Sequence, residues 1–578
     1  MDVVVPIVAA VLLIVGFSTV AKRLGVAAPL VLLIVGAGIS YLPGVPHIEV
    51  PHEIILIGML PPILYSAALT VPVMDFRRNL GSISSLSVFL VIASAFTTGF
   101  VLHLLLPELN FALAVAVGAV ISPPDAVAAV SIGKKLALPP RLLTVMEGEG
   151  LVNDATALVL LRSAIAVAAG GVATVWEGVM DFGYAVVVAV AVGLLVGFLT
   201  VWVRSRLTDT LADNAVSLLV PFMAFIPAES LHASGVLAVV IAGIYVGHQS
   251  PRYVRAQPRM SERINWRTVQ FVLENGVFLI MGLELRALVD DIGPTELSGR
   301  SAVGIGLILT AVLIVLRMLW VNPMIVVLRY SAKRAEHRVY RLHLALASMD
   351  ENDSDPRRKR RRARLQHVYA RRRADLESHR TEGLDWRGGL VLSWSGMRGV
   401  VTLAAAQSLP DDTLYRSQLI LIAFTVAVVT LVLQGGTLPW LIRLLGIQGA
   451  DPRKDRQQLA ALLESISTQG LRVLDHPHDL LGKDTAVDPT IVDRVRHDTT
   501  MRTAAAWERA NAEGPDVGAP HLQYLMLHEA VVHAEYKALL RARSSGRYPS
   551  RVLTTAQTIL ELEEARLAPR HPGQVGGH

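Results

Sequence analysis

Apolar blocks about 20 residues long, each enough to cross a bilayer core, recur through the first three quarters of this chain. Short charged or Pro/Gly-containing breaks separate them. Backbone inside lipid must satisfy its own hydrogen bonds, so such blocks are read as helices. A content of 52% hydrophobic residues and a mean hydropathy of +0.47 exclude an ordinary soluble domain. From about residue 445 the blocks stop. The expected organisation is a membrane domain over 1–445 and a soluble cytoplasmic tail over 451–578. In the tail, Leu459, Leu462, Leu463, Ile466 and Leu471, then Leu522, Leu525, Leu527, Val531 and Val532, recur near helical spacing. Its last ten or so residues have the composition of a disordered end.

The spans are placed near 3–21, 27–43, 53–73, 83–106, 110–132, 141–169, 178–203, 213–229, 234–248, 268–289, 301–327, 388–410 and 417–445. The first is read as an uncleaved span, because Lys22-Arg23 follows it, whereas a signal peptide carries its charge in front. The net charge of +6 sits mostly between spans, which makes it a topology signal and not a nucleic-acid surface. With the N-terminus outside, alternate loops carry Lys22/Arg23, Arg77/Arg78, Lys134/Lys135/Arg141, Arg204/Arg206, the arginines from Arg252 to Arg267, and Arg329 to Arg387. The opposite loops hold only Arg300 and Arg416. That alternation supports about 13 spans, a cytoplasmic C-terminus and a multi-pass plasma-membrane protein. The segment 330–387, with an acidic run at 350–355 and the basic run Arg357 to Arg362, reads as a solvated, partly disordered cytoplasmic loop in preference to a lipid contact.

Ionisable groups inside spans are costly and mark cavities or partners. In the fifth span, Ser122-Pro123-Pro124-Asp125 removes two backbone donors in mid-membrane, so the helix breaks beside Asp125. In the sixth, Glu147, Gly150 and Asp154 share one helical face, while Glu149 and Asn153 share another. Arg398 lies mid-span in the twelfth, between Gly396 and Gly399, and needs a buried counter-charge. Glu149 is the expected partner. Glu284, Arg286 and Arg162 read as snorkelling to an interface. Glu147, Glu274 and Arg317 are possible accessory groups. If spans 1–6 and 8–13 form two inverted repeats, the broken fifth and twelfth spans correspond, as in transporters with midplane sites. The expected fold is therefore all-α and polytopic, with two inverted six-helix repeats, broken crossing helices and a helical tail.

These residues resemble the monovalent cation:proton antiporter family, in its sodium/proton exchanger branch. The resemblance runs over about 50–445. It rests on Ser122 to Ala128, on Gly148-Glu149-Gly150-Leu151-Val152-Asn153-Asp154-Ala155, on Gly396-Met397-Arg398-Gly399-Val400, on His232 to Ala238, and on Leu273 to Phe278. It implies that Asp154 binds cation and proton alternately and that Asp125 assists. Asn153, Ser122 and Ser66 complete the expected site for a sodium ion, and Glu149 pairs with Arg398. It further implies a homodimer, no cofactor beyond the transported sodium ion and proton, and electroneutral exchange by the Asn-Asp branch. Potassium is the alternative cargo. The chain departs from the family pattern at Gly150, where a serine is frequent, and at Tyr65-Ser66, where a carboxylate is frequent. An intramembrane aspartyl protease would need other sequence contexts around its aspartates, and a channel would show a filter loop or charged rings.

Overall fold

Each apolar block becomes a helix, or two half-helices that meet at a break. The structure is a computed structural model and describes residues 4–24, 27–43, 50–170, 175–290, 297–349, 356–381, 385–447, 449, 451–475, 488–511, 520–544 and 549–567. Every regular element among them is helical. The chain divides into two units, 1–449 and 450–578.

The first unit opens with α1 (Val4–Leu24), α2 (Ala28–Ser40) and α3 (Leu60–Thr70), the last entered through a π-helical turn at Ile54–Met59. The short α4 (Val73–Arg78) and α5 (Leu80–Ser84) lead into α6 (Val91–Leu105). The fifth block is split into α7 (Phe111–Ile121) and α8 (Ala126–Lys135), as the paired prolines require. Then come α9 (Pro140–Ala168), α10 (Val175–Arg206), α11 (Thr210–Ser230), α12 (Gly235–Tyr253) and α13 (Ala256–Leu283), with a short α14 (Leu285–Asp290). After α15 (Gly299–Ala347) and α16 (Pro356–Thr381), the twelfth block is also split, into α17 (Trp386–Trp394) and α18 (Val400–Gln407). The unit closes with α19 (Arg416–Leu445). Among the described residues, seven helices are long and apolar enough to cross a membrane. Shorter apolar helices lie at Val5–Ala21, Ala28–Ser40 and Ile54–Thr70.

Two apolar cores organise the unit. One gathers α7, α19 and their neighbours; the other gathers α3, α10, α11 and α12. The helix α9 belongs to both, giving Val145 and Met146 to the first and Leu151 and Ala155 to the second. Outward-facing Phe96, Phe100, Leu195 and Trp202 are exposed, as lipid-facing positions would be.

The segment 330–387 departs from the sequence expectation. It is largely helical: α15 continues without a break to Ala347, and α16 packs back against it through His343 and Tyr369, whose rings lie 5.6 Å apart. Arginine, alanine and leucine are strong helix formers, and here that propensity prevails over the charge density. The acidic run at 350–355 lies outside the described residues, as do the last residues of the tail. In the second unit, α20 (Pro452–Leu471) pairs with α21 (Pro489–Asn511), where Trp507 Nε1 donates to Glu464 Oε2 at 3.0 Å. A further pair is formed by α22 (Pro520–Ser544) and α23 (Ser550–Leu567).

Candidate functional site

The break between α7 and α8 can be followed group by group. Pro123 cannot donate to the Ala119 carbonyl, and Ser122 Oγ donates there instead at 3.0 Å. The Asp125 N–H, which a continuous helix would direct to Ile121, donates to the Met397 carbonyl at 2.5 Å. The Ile121 carbonyl accepts from Arg398 Nε at 3.1 Å, and the Ser122 carbonyl from an Arg398 terminal nitrogen at 3.3 Å. The Pro124 carbonyl accepts from Asn153 Nδ2 at 2.6 Å. Asp125 then caps α8, its Oδ1 accepting from the Val127 N–H at 2.8 Å. The two breaks therefore meet, and each satisfies groups orphaned in the other. Gly399 is required for that approach: a β-carbon there would fall on the Asp125 carboxylate.

Arg398 does not pair with Glu149, contrary to the sequence expectation. The Glu149 carboxylate is taken by Arg317 of α15 in a two-pronged bond of 2.5 and 2.8 Å, both side chains being 3% exposed. Arg317 Nε also donates to the Leu392 carbonyl at 3.1 Å, so it joins α9, α15 and α17. Arg398 is held by carbonyls at the C-terminal end of α7, where the helix dipole favours a cation, and by the Gly396 carbonyl.

Burial separates the polar groups. Asn153, Glu149, Arg317 and Arg398 are sealed, whereas Asp125 and Asp154 keep part of their surface accessible. Asp125 acts electrostatically on both Asp154 and Glu274. Asn153, expected among the ion ligands, is fully buried, with its amide on Pro124 and its oxygen accepting from the Asp154 N–H at 2.7 Å. Its visible work is to brace the break. Ser66 is likewise buried and donates to Gln270 Oε1 at 3.0 Å; Gln270 Nε2 in turn donates to Glu274 Oε1 at 2.6 Å. At Gly150, a β-carbon would come 2.5 Å from that of Ala126, so the missing serine reflects close packing of α9 on α8. Glu147 pairs with Lys134 of α8 at 2.7 Å.

Several polar groups escaped the sequence reading. Arg204, taken there for a loop arginine, has a side chain 0% exposed, with both Asp213 oxygens at 3.0 and 2.7 Å and Glu262 at 2.7 Å. Ser217 Oγ donates to Glu262 at 2.5 Å and accepts from Trp266 Nε1 at 3.0 Å. A signal existed: Glu262, Trp266, Gln270 and Glu274 recur every four residues, a polar stripe on one face of α13. Glu284, read as snorkelling, is 2% exposed and accepts from the Val50 N–H at 3.1 Å and from Gln407 at 3.3 Å. Arg162 reaches Glu229 at 2.5 Å.

Comparison with known proteins bears on the family and the fold. The family model for the transmembrane part of sodium/hydrogen exchangers matches residues 8–444. An uncharacterized Na+/H+ exchanger of Mycobacterium tuberculosis is 28% identical, over 97% of this chain and 96% of its own. The sodium, potassium, lithium and rubidium/H+ antiporter of Bacillus subtilis is 27% identical, over 75% of this chain and 60% of its own. The sodium proton antiporter structure from Methanocaldococcus jannaschii shares the fold, with a TM-score of 0.54 at 16% identity, covering 76% of this chain and 98% of that one.

Proposed function

Because the chain belongs to the sodium/hydrogen exchanger family, a family of transporters and not of enzymes, we propose that it exchanges sodium for protons through one carboxylate, Asp154. The observation that carries this reading is the contrast at the crossing of the two breaks. Asp125 and Asp154 stay accessible there, while Glu149, Arg317 and Arg398 beside them are sealed as an ion pair or against carbonyls. A dehydrated sodium ion needs negatively charged oxygen, which ionised Asp154 supplies with Asp125 beside it. A protonated Asp154 cannot hold the ion. Cation and proton therefore exclude each other at one site, and that exclusion is what couples their fluxes. Asn153 adds no charge, in keeping with one-for-one exchange. Sodium and proton are cargo, and the reading needs no cofactor. It places the protein in the plasma membrane as a homodimer, with the N-terminus outside and the tail in the cytoplasm.

A second cargo has a specific observation in its favour, since the Bacillus subtilis relative is named for four alkali cations. Both readings are tested in proteoliposomes carrying a pH dye, by adding sodium, lithium, potassium and rubidium in turn. Sodium is expected to drive the largest proton efflux, with an apparent affinity that weakens as pH falls, because protons displace the ion. An affinity independent of pH would refute the shared site. Cation flux without proton flux would make the protein a channel.

Every residue of the proposed site precedes Gly449, so the tail is assigned to regulation. A chain ending at Gly449 is expected to keep measurable exchange in vesicles. Complete loss of exchange in inserted, dimeric protein would overturn that assignment.

A further inference from the structure

We propose that Lys134 is a tethered counter-ion at the mouth of the ion path, which an entering cation must displace, and that it thereby sets the concentration at which the transporter loads. The proposal rests on the reading of Asp125 and Asp154 as the ion site. Lys134 is nine residues beyond Asp125 on α8, and Glu147 is seven before Asp154 on α9. At 1.5 Å per residue these are about 13 and 10 Å along their helices. Glu147 shares the face of α9 that carries Asp154. Glu147 thus stands about 10 Å outside Asp154 on the same face of α9, and Lys134 reaches it from the last turn of α8.

Exposure gives the pair its direction. The Lys134 side chain is 62% exposed and that of Glu147 25%, while both aspartates are only partly accessible. The ammonium lies 2.7 Å from Glu147 Oε1 and also acts electrostatically on Glu274, itself half-buried and acted on by Asp125. One ammonium therefore acts on two carboxylates, Glu147 and Glu274, and Glu274 is in turn acted on by Asp125. A lysine in the last turn of α8 would in any case favour that helix end. Helix capping alone does not explain why its nitrogen is placed on a carboxylate of the neighbouring helix. An ammonium is a compact, monovalent point charge, so it competes with an alkali cation for the same oxygens. The nearby Arg141 is not a substitute, since its Nε donates to Asn79 at 3.0 Å.

The consequence is a charge rule at the mouth. Removing the positive charge should raise the local cation concentration, and removing the carboxylate should lower it. The test is sodium-driven proton flux in proteoliposomes, comparing wild type with Lys134→Gln, Lys134→Arg, Glu147→Gln and the double variant Lys134→Gln/Glu147→Gln. Each is measured at low and high ionic strength set with a bulky organic cation. At low ionic strength, Lys134→Gln should lower the half-saturating sodium concentration about twofold, the effect of one unit charge some 10 Å away in water. Glu147→Gln should raise it, the double variant should return near wild type, and Lys134→Arg should keep the wild-type value. High salt should compress the whole series, because exposed charges are screened. A half-saturation that ignores these charges, or a change in maximal rate alone, overturns the role of Lys134 and leaves a merely structural tie. Absence of sodium-driven flux in the wild type would instead overturn the site reading on which the proposal stands.

Discussion

Replacing Asp154 with asparagine is expected to abolish cation-driven proton movement while leaving the protein folded and inserted. The substitution keeps the shape of the side chain and removes the one property the exchange needs, a charge that a proton can cancel. Asp154 gives no side-chain hydrogen bond to a neighbouring helix among the described contacts, and its N–H is held by Asn153, which stays in place. Its loss should therefore spare the framework. Asparagine can still offer a carbonyl oxygen to a cation, but it cannot carry a proton in exchange. Flux should fall to the level of empty vesicles at every pH tested, with a melting temperature close to wild type. Exchange surviving in Asp154→Asn would move the carrier role elsewhere, and Asp125, also accessible and acting on Asp154, would be the residue to replace next.

The largest expected loss of stability lies at the pair Glu149–Arg317. Both side chains are sealed, and removing one partner leaves a buried charge with nothing to answer it, at a cost of about 3–5 kcal/mol. Native proteins hold margins of about 5–15 kcal/mol, so Arg317→Ala should express poorly and melt early. Neutralising both partners, as Glu149→Gln with Arg317→Gln, should recover much of the loss. Arg398→Ala should behave differently. It releases carbonyls at the end of α7 and no carboxylate, so it should disturb the setting of Asp125 more than global stability. Thermal melts of the purified variants in detergent decide the matter. Equal melting temperatures for Arg317→Ala and wild type would show that the pair does not hold the fold.

The two breaks and the aspartates were legible because a proline pair or a charge stands out against a long apolar run. The two faces of α9 were legible as well, since helical phase alone separates Glu149 and Asn153 from Glu147 and Asp154. Partners were not. Glu149 was matched with Arg398, and the right partner depended on which helix lies beside α9, a distance that no single-chain pattern encodes. Arg317 was visible as a charge in a span but not as its answer. Arg204 was hidden for a different reason: its place at the end of a long apolar run is also where an ordinary topology-setting arginine sits. Its two carboxylates lie 9 and 58 residues further on, and only packing brings the second one in.

That separation along the chain also orders events in time. Arg204 meets Asp213 within the same stretch of nascent chain, but Glu262 has not yet been made. At about 5–20 residues per second, the ribosome needs roughly 2–10 s after Asp213 to supply it. Through that interval the arginine has one acid in place of two, and the ends of α10 and α11 are held by a single bond pair without the third helix. The corner can close only when the start of α13 arrives, so its assembly waits on a later helix, in a sequence that the order of synthesis imposes.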